Sequence, residues 1–217
     1  SAGWPGGDDV LRDVSFDIEA GERVGLLGAS GSGKSTLLAV LAGFLPYTGS
    51  ITIGGVELRD LRGEDLRRVV GWCPQLPHVF DTSVVENVRL ARPDATDEEV
   101  REALDAVGLG PWLEATRDGL DTPVGDHGAL VSAGQRQRLG VARVLLGGHP
   151  VVLLDEPTEH LDEDTADVVA VEADPTRQHR LDGRKDVILF DKRHLEVELV
   201  ELARRTIGAR VLVAEAR

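Results

Sequence analysis

Gly-Ala-Ser-Gly-Ser-Gly-Lys-Ser, at residues 28–35, is the stretch of this sequence that decides its fold. It fits the pattern GxxxxGK followed by Ser or Thr, in which glycines let the backbone curl so that successive N–H groups surround a phosphate. Lys34 adds a charge that can reach the β and γ phosphates of a nucleoside triphosphate, and the Ser35 hydroxyl can hold Mg²⁺. The alternative is a glycine-rich turn that fits by chance. It is disfavoured because lysine occurs only at positions 34, 185 and 192, and one of these stands where the phosphates need it.

The sequence around this loop predicts a wound α/β sheet. Residues 22–27, Glu-Arg-Val-Gly-Leu-Leu, indicate a buried strand, and residues 35–42 favour a helix whose N-terminus would face the phosphates. Further strands are predicted at 14–18, 50–53, 69–72, 151–154, 187–190 and 211–214, and helices at 96–107 and 132–146. Strands separated by helices indicate a parallel sheet, with the mainly helical stretch from about 76 to 145 inserted as a second lobe.

Composition narrows the class of protein. The 217 residues, 41% of them hydrophobic, suit one large domain or a domain with a subdomain. A formal charge of −14 argues against nucleic acid as the main partner. The single cysteine, Cys73, excludes an internal disulfide and favours a reducing compartment. No apolar run of about 18 residues is present, so we expect the isolated chain to be soluble; its start at Ser1 and its lack of methionine predict a piece of a longer polypeptide.

Two carboxylates at the end of the predicted strand at 151–154 form a second candidate group. An open α/β sheet binds its ligands at the ends of such strands. Asp155 would orient Mg²⁺ or its water, and Glu156 would polarise the attacking water as a general base. The alternative is an ordinary solvated acidic turn, which becomes less favoured when a phosphate loop lies upstream.

A third candidate is Val-Ser-Ala-Gly-Gln at residues 131–135, at the start of a predicted helix. Ser132 is a natural N-cap, and the free N–H groups of the first turn could hold a terminal phosphate. Spacing alone favours the simpler interpretation, a capped surface helix.

Together these motifs resemble the ATP-binding cassette (ABC) family over nearly the whole chain. Residues 28–35 resemble its Walker A loop, Gln75 its Q-loop glutamine and residues 131–135 its signature. Residues 151–155 resemble its Walker B strand, followed by Glu156 as the catalytic glutamate. Residues 160–162, His-Leu-Asp, resemble its D-loop.

The resemblance implies a single nucleotide-binding domain with the P-loop NTPase ABC cassette fold. A RecA-like parallel-sheet core would span about 1–75 and 146–217, with an N-terminal antiparallel β part. A helical subdomain would span about 76–145, and the transmembrane domain would be absent from this chain.

ATP and Mg²⁺ are the cofactors that the resemblance implies. It assigns ATP contacts to Trp4, Gly28, Ala29, Ser30, Gly31, Ser32, Gly33, Lys34, Ser35, Thr36, Ser132, Gly134 and Gln135. It assigns metal contacts to Ser35, Gln75 and Asp155, and catalytic roles to Gln75, Glu156, Lys192 and His194.

Several features are similar to those of exporter-type cassettes. Trp4 resembles the aromatic residue that stacks on adenine, the alternative being an exposed terminal tryptophan. Residues 122–128 resemble the loop that senses the coupling helices of the membrane domain, in which we expect His127 to be a surface side chain. Residues 155–162 and the Ser-Ala-Gly-Gln signature most resemble the CydC half of cytochrome bd assembly exporters, which implies thiols such as glutathione or cysteine as cargo.

One departure concerns hydrolysis. The family carries a switch histidine after the strand that follows Walker B, and here Lys192 stands in that register. Lysine can donate to a γ-phosphate but lacks the paired donor and acceptor nitrogens of imidazole. His194 could serve only if the loop shifts by two residues, and residues 174–186, which include Pro175, match the family poorly.

Three functions remain open from sequence. The first is the ATPase domain of an exporter on the cytoplasmic face of the inner membrane, pairing head-to-tail with an identical or different nucleotide-binding domain and with transmembrane domains. Ser132 and Gly134 would then serve the partner's ATP. The second is a regulatory half-site that binds ATP and hydrolyses it weakly or not at all in a heterodimeric transporter. The third is a soluble, non-transport cassette acting on ribosomes or DNA, which the acidic composition disfavours.

Overall fold

The computed structural model describes residues 1–18, 23–27, 31–155, 186–190 and 212–215. Within them the strands are β1 Arg23–Leu27, β2 Thr52–Ile53, β3 Val56–Glu57, β4 Val70–Cys73, β5 Val151–Asp155, β6 Asp186–Phe190 and β7 Leu212–Glu215. The α-helices are α1 Lys34–Leu41, α2 Gly63–Val69, α3 Val84–Arg89, α4 Asp97–Ala106, α5 Gly110–Ala115 and α6 Ala133–Gly147. Short 3-10 turns occupy Leu58–Asp60, Gly119–Asp121 and Asp126–Gly128.

The main sheet is parallel and five-stranded, in the order β4-β5-β6-β1-β7. Strands β2 and β3 form a separate antiparallel hairpin. Non-consecutive neighbours require crossover connections, as expected for parallel strands joined through helices. The predicted α/β fold with a parallel sheet is confirmed, and the strands predicted near 22–27, 69–72, 151–154, 187–190 and 211–214 are all present.

The central strand β5 is buried on both faces. Val152 and Leu154 belong to a hydrophobic cluster that includes the buried side chains of α3, α4 and α6. Leu153 belongs to a second cluster, with Leu38 of α1 and Val70 of β4. A strand buried on both sides requires an unbroken apolar run, which explains why this one does not alternate with polar residues.

The predicted strand at residues 14–18 is wrong. These residues are described as irregular chain, with 48% of Val14 and 45% of Phe16 exposed. Alternation alone does not make a strand, because a strand also needs a partner for its backbone N–H and C=O groups. The strand predicted at 50–53 is present only as β2, Thr52–Ile53.

Capping residues fix the start of two helices as predicted. The Thr96 hydroxyl accepts from the Glu99 N–H at 3.3 Å, and the Glu99 carboxylate accepts from the Thr96 N–H at 2.8 Å. This reciprocal capping box opens α4, and a second box opens α6. In the part of the chain that is described, no helix has both the length and the apolar character needed to cross a bilayer.

Candidate nucleotide site

Four neighbouring strands end at one edge of the parallel sheet. Cys73 of β4 lies opposite Leu154 of β5, and Asp155 of β5 lies opposite Phe190 of β6. Leu26 of β1 is also paired with Phe190. The segments that follow these strands therefore share the edge where open α/β sheets bind their ligands.

The predicted site residues follow these strand ends. The phosphate loop follows β1, Gln75 follows β4, and Asp155 is the last residue of β5. Six predicted site residues lie outside the described part of the chain: Gly28, Ala29, Ser30, Glu156, Lys192 and His194. So do residues 160–162 and 174–185. The roles assigned to all of these residues stay predictions.

The described half of the phosphate loop has a backbone that requires glycine. Gly31 and Gly33 adopt positive φ angles of 82° and 97°, a region that other residues rarely enter. At Gly33 a β-carbon would also meet Leu11 Cδ2 at 2.9 Å. Lys34 opens α1 with 8% exposure and donates from Nζ to Ser32 Oγ at 3.4 Å. This geometry fits a phosphate cradle closed by an ammonium group.

Ser35 and Asp155 meet although 120 positions separate them. Ser35 Oγ donates to Asp155 Oδ1 at 3.2 Å, and Asp155 is 6% exposed. One oxygen comes from the start of α1 and the other from the end of β5, so the hydrogen bond joins the phosphate loop to β5. Hydroxyl and carboxylate oxygens are ligands that Mg²⁺ prefers. This pair therefore fits the predicted metal contacts.

Trp4 contacts helix α1, which begins at the end of the phosphate loop. Its indole Nε1 donates to Thr36 Oγ1 at 3.2 Å, and 55% of Trp4 is exposed. The structure thus brings Trp4 beside the phosphate loop, and its contact with adenine stays a prediction.

Gln75 is partly buried, two residues beyond the end of β4. Cys73 ends that strand, and burial raises the pKa of its thiol to about 12. The thiol is protonated at neutral pH, so Cys73 packs as an apolar side chain beside this edge rather than acting as a nucleophile.

The signature residues form the second capping box. Ser132 Oγ accepts from the Gln135 N–H at 3.1 Å, and Gln135 Oε1 accepts from the Ser132 N–H at 2.7 Å. Ser132 is exposed and Gly134 is buried. The predicted N-cap is confirmed, whereas contacts of these residues with ATP stay predictions.

Two residues that sequence reasoning did not single out connect the helices to the segment after Gln75. The fully buried Asn87 bonds the N–H and C=O of Phe80 and the C=O of Ser83, all at 2.9 Å. Arg143 of α6 donates to Asn87 O and Oδ1 at 2.6 Å and to the carbonyl of His78. An apolar side chain at position 87 could not form these bonds, so the polar Asn87 among the buried valines of α3 was the available signal.

The loop at 122–128 is tied to that same segment. The Val84 N–H donates to Thr122 O and the Val124 N–H donates to Thr82 O, both at 3.0 Å. His127 lies at the surface with its side chain 78% exposed, as predicted.

Comparison with known proteins identifies the family. A family model described as ABC transporter matches residues 11–159. The chain belongs to the ABC transporter family. It is an ATP-binding domain of that family, whose members are ATPases.

Two relatives are glutathione/L-cysteine transport system ATP-binding/permease proteins named CydD. The Escherichia coli (strain K12) protein is 46% identical over 158 residues, 73% of this chain and 27% of its own length. The Bacillus subtilis (strain 168) protein is 46% identical over 154 residues, 70% of this chain and 27% of its own length. The chain thus spans about a quarter of these relatives. The predicted likeness to glutathione and cysteine transport systems is confirmed, and these two relatives carry the name CydD rather than CydC.

The fold is also similar to that of a solved exporter. A bacterial Atm1-family ABC exporter with ATP bound superposes with a TM-score of 0.77 at 27% identity. The similarity covers 99% of this chain and 33% of the exporter chain.

Proposed function

We propose that this chain is the nucleotide-binding domain of a membrane exporter, and that it binds Mg²⁺-ATP at the edge formed by the phosphate loop and the end of β5. The hydrogen bond from Ser35 to Asp155 carries the proposal, because it joins the two oxygen ligands that the metal would use. Lys34 would neutralise the terminal phosphates, and bound ATP would supply the free energy for domain movement.

The proposal includes a second nucleotide-binding domain facing this one head-to-tail. The exposed Ser132 opens α6, and the first-turn N–H groups of such a helix favour an anion. ATP held by one domain would meet this signature on the other, so that binding closes the dimer and hydrolysis opens it. We further propose one domain over residues 1–217, with the core and helical lobe divided near 75 and 146.

Transmembrane domains are the other proposed partners, at the loop of residues 122–128. Its backbone bonds to Thr82 and Val84 offer a path from that loop to Gln75, which lies earlier in the same segment. Leu76, next to Gln75, and Leu130, just after the loop, are 70% and 69% exposed, so each offers an apolar side chain to a partner. Such an arrangement would place the domain on the cytoplasmic face of the membrane.

Thiols such as glutathione or cysteine are the proposed cargo. The support is the pair of CydD relatives, which are named for glutathione and L-cysteine transport. Transport of labelled glutathione and cysteine by the membrane-inserted protein tests this part. ATP-dependent uptake of neither thiol into inverted vesicles would contradict it.

ATP turnover tests the central part of the proposal. We expect Glu156→Gln to abolish turnover while Mg²⁺-ATP still binds, since the general base is lost and the phosphate contacts remain. Retention of turnover in this variant would contradict the role given to Glu156.

A regulatory half-site is the second candidate, favoured by Lys192 in the switch-histidine register. It predicts weak turnover by the chain alone and a gain in turnover on Lys192→His. Full turnover that Lys192→His leaves unchanged would exclude this candidate. Turnover measured alone and in mixture with a CydD-type cassette distinguishes the two cases.

A further inference from the structure

One edge of the Trp4 indole ring is held by a hydrogen bond, and more than half of the residue is exposed to solvent. Its indole N–H donates to Thr36 Oγ1 at 3.2 Å, across 32 positions of sequence. Thr36 is 6% exposed, so its hydroxyl is buried, whereas more than half of Trp4 faces solvent. A buried hydroxyl is costly without a hydrogen-bond partner, and the indole provides one. The contact therefore gives the buried hydroxyl of α1 a hydrogen-bond partner and also orients the indole ring.

The loop that carries Trp4 is also anchored at its base. Ala2 O accepts from the Leu11 N–H at 2.9 Å, and the Ala2 N–H donates to Leu11 O at 3.1 Å. Ala2 and Leu11 are buried with Leu37 of α1. Leu11 and Val10 reach the phosphate loop itself, within 2.9 and 3.1 Å of the position that a β-carbon on Gly33 would take. The loop closes on the helix that follows the phosphate loop, and the Trp4 ring projects from a fixed base.

We propose that Thr36 is a positioning residue for the base of the nucleotide: its hydroxyl holds the Trp4 indole in the orientation in which a purine stacks on it. The inference rests on the proposed function, because it concerns the same nucleotide site. A ring that is already oriented loses less conformational freedom when a base stacks on it. Since the indole N–H is used by Thr36, the ring offers the base a π face and no hydrogen-bond donor.

The first test requires no nucleotide. The chain contains three tryptophans, Trp4, Trp72 and Trp112, and the indole ¹H–¹⁵N resonance of Trp4 is identified by its loss in Trp4→Phe. Thr36→Val removes the acceptor and keeps the side-chain shape, so we expect an upfield shift of the Trp4 indole proton. Thr36→Ser keeps the hydroxyl and should leave the resonance near its original position. A resonance that does not move in Thr36→Val would overturn the inference.

The second test separates the base from the phosphates. We expect Thr36→Val and Trp4→Phe each to weaken Mg²⁺-ATP binding about twofold to tenfold, the usual value of one hydrogen bond. Tripolyphosphate, which has no base, should bind Trp4→Phe as it binds the unaltered chain, and Thr36→Val should weaken its binding less than it weakens the binding of ATP. The losses in the double variant should be less than additive, because both single variants remove the same bond.

Two results of the second test would overturn the inference: equal losses for ATP and tripolyphosphate in Thr36→Val, or additive losses in the double variant. Failure of the unaltered chain to bind either ligand would instead contradict the proposed function. The indole resonance would still decide the contact between Trp4 and Thr36 in that case. The two failures are therefore distinguishable.

Discussion

Two parts of the candidate site satisfy their polar groups in opposite ways. One is the phosphate edge, formed by residues 31–35 and Asp155, and the other is the start of α6. At the phosphate edge, Ser35 bonds to Asp155 across 120 positions, so the contact exists only when α1 and β5 have folded together. At the start of α6, Ser132 and Gln135 bond each other's backbone over three positions. The Ser35–Asp155 bond depends on the tertiary fold, whereas the bonds between Ser132 and Gln135 require only the first turn of α6.

This difference indicates which part of the proposed ATP site one chain supplies by itself and which part it presents to a second chain. The phosphate edge brings Lys34, Ser35 and Asp155 together within one chain, as a self-contained cradle for Mg²⁺-ATP would. The α6 cap is satisfied locally and Ser132 is exposed, so the cap can meet a second molecule without losing partners elsewhere. The predictions below test each side, beginning with the phosphate edge.

Lys34→Ala should cause the largest loss. Lys34 donates to Ser32 Oγ within the phosphate loop, and charge-assisted bonds from its ammonium group to the phosphates should be worth about 100-fold or more in Mg²⁺-ATP affinity. Isothermal titration calorimetry measures the change, with circular dichroism to show that the fold is retained. A Mg²⁺-ATP affinity within about threefold of that of the unaltered chain would contradict the phosphate-binding role given to Lys34.

Asp155→Asn should remove most of the Mg²⁺ dependence of ATP binding. The amide keeps an oxygen that can accept from Ser35 but lacks the charge that a divalent cation needs. We expect about a tenfold loss in the presence of Mg²⁺, the size of one charge-assisted contact, and little change in EDTA. Asp126→Asn, on the exposed loop, is the matched control and should leave both affinities unaltered. A variant that still responds to Mg²⁺ as the unaltered chain does would contradict the metal role.

Ser132→Ala should affect stability through the helix cap. Loss of the side-chain acceptor for the Gln135 N–H should lower the free energy of unfolding by about 1 kcal/mol. Ser132→Thr keeps an acceptor and should recover most of the loss. Urea unfolding of the three proteins gives the comparison; equal stabilities would show that the cap is not formed in solution.

The two capping boxes should differ in their response to pH. Hydrogen bonds from the Thr96 backbone and hydroxyl lower the pKa of Glu99, so the ionised carboxylate stabilises α4. That contribution is fully present above the unfolded-state pKa and is lost as pH falls through the lower folded-state pKa. The α6 box contains Gln135 and does not titrate. Amide exchange in acid should therefore show loss of protection at the start of α4 before α6; equal losses would contradict the distinction.

The sequence predicted the elements whose signals are local. The apolar run of β5 requires a strand buried on both faces, and Thr96 and Ser132 are capping residues at the start of helical periodicity. Residues 14–18 have the alternation of a strand but are irregular, because pairing depends on residues elsewhere in the chain.

The candidate site was predictable only in part. The phosphate-loop pattern and the acidic end of β5 indicated that Ser35 and Asp155 belong to one site, and the shared sheet edge explains why they meet. The bonds from Trp4 to Thr36 and from Arg143 to Asn87 join residues 32 and 56 positions apart. No periodicity or spacing specifies such contacts, since they depend on how loops pack against helices.

Mg²⁺-ATP binding by dilute, monomeric chains carrying either Lys34→Ala or Ser132→Ala tests the division of the site most directly. If the cradle is complete within one chain and the α6 cap serves a second molecule, Ser132→Ala should bind one ATP per chain with unaltered affinity, while Lys34→Ala should bind none measurably. Equal losses in the two variants, or unaltered binding in both, would contradict this account.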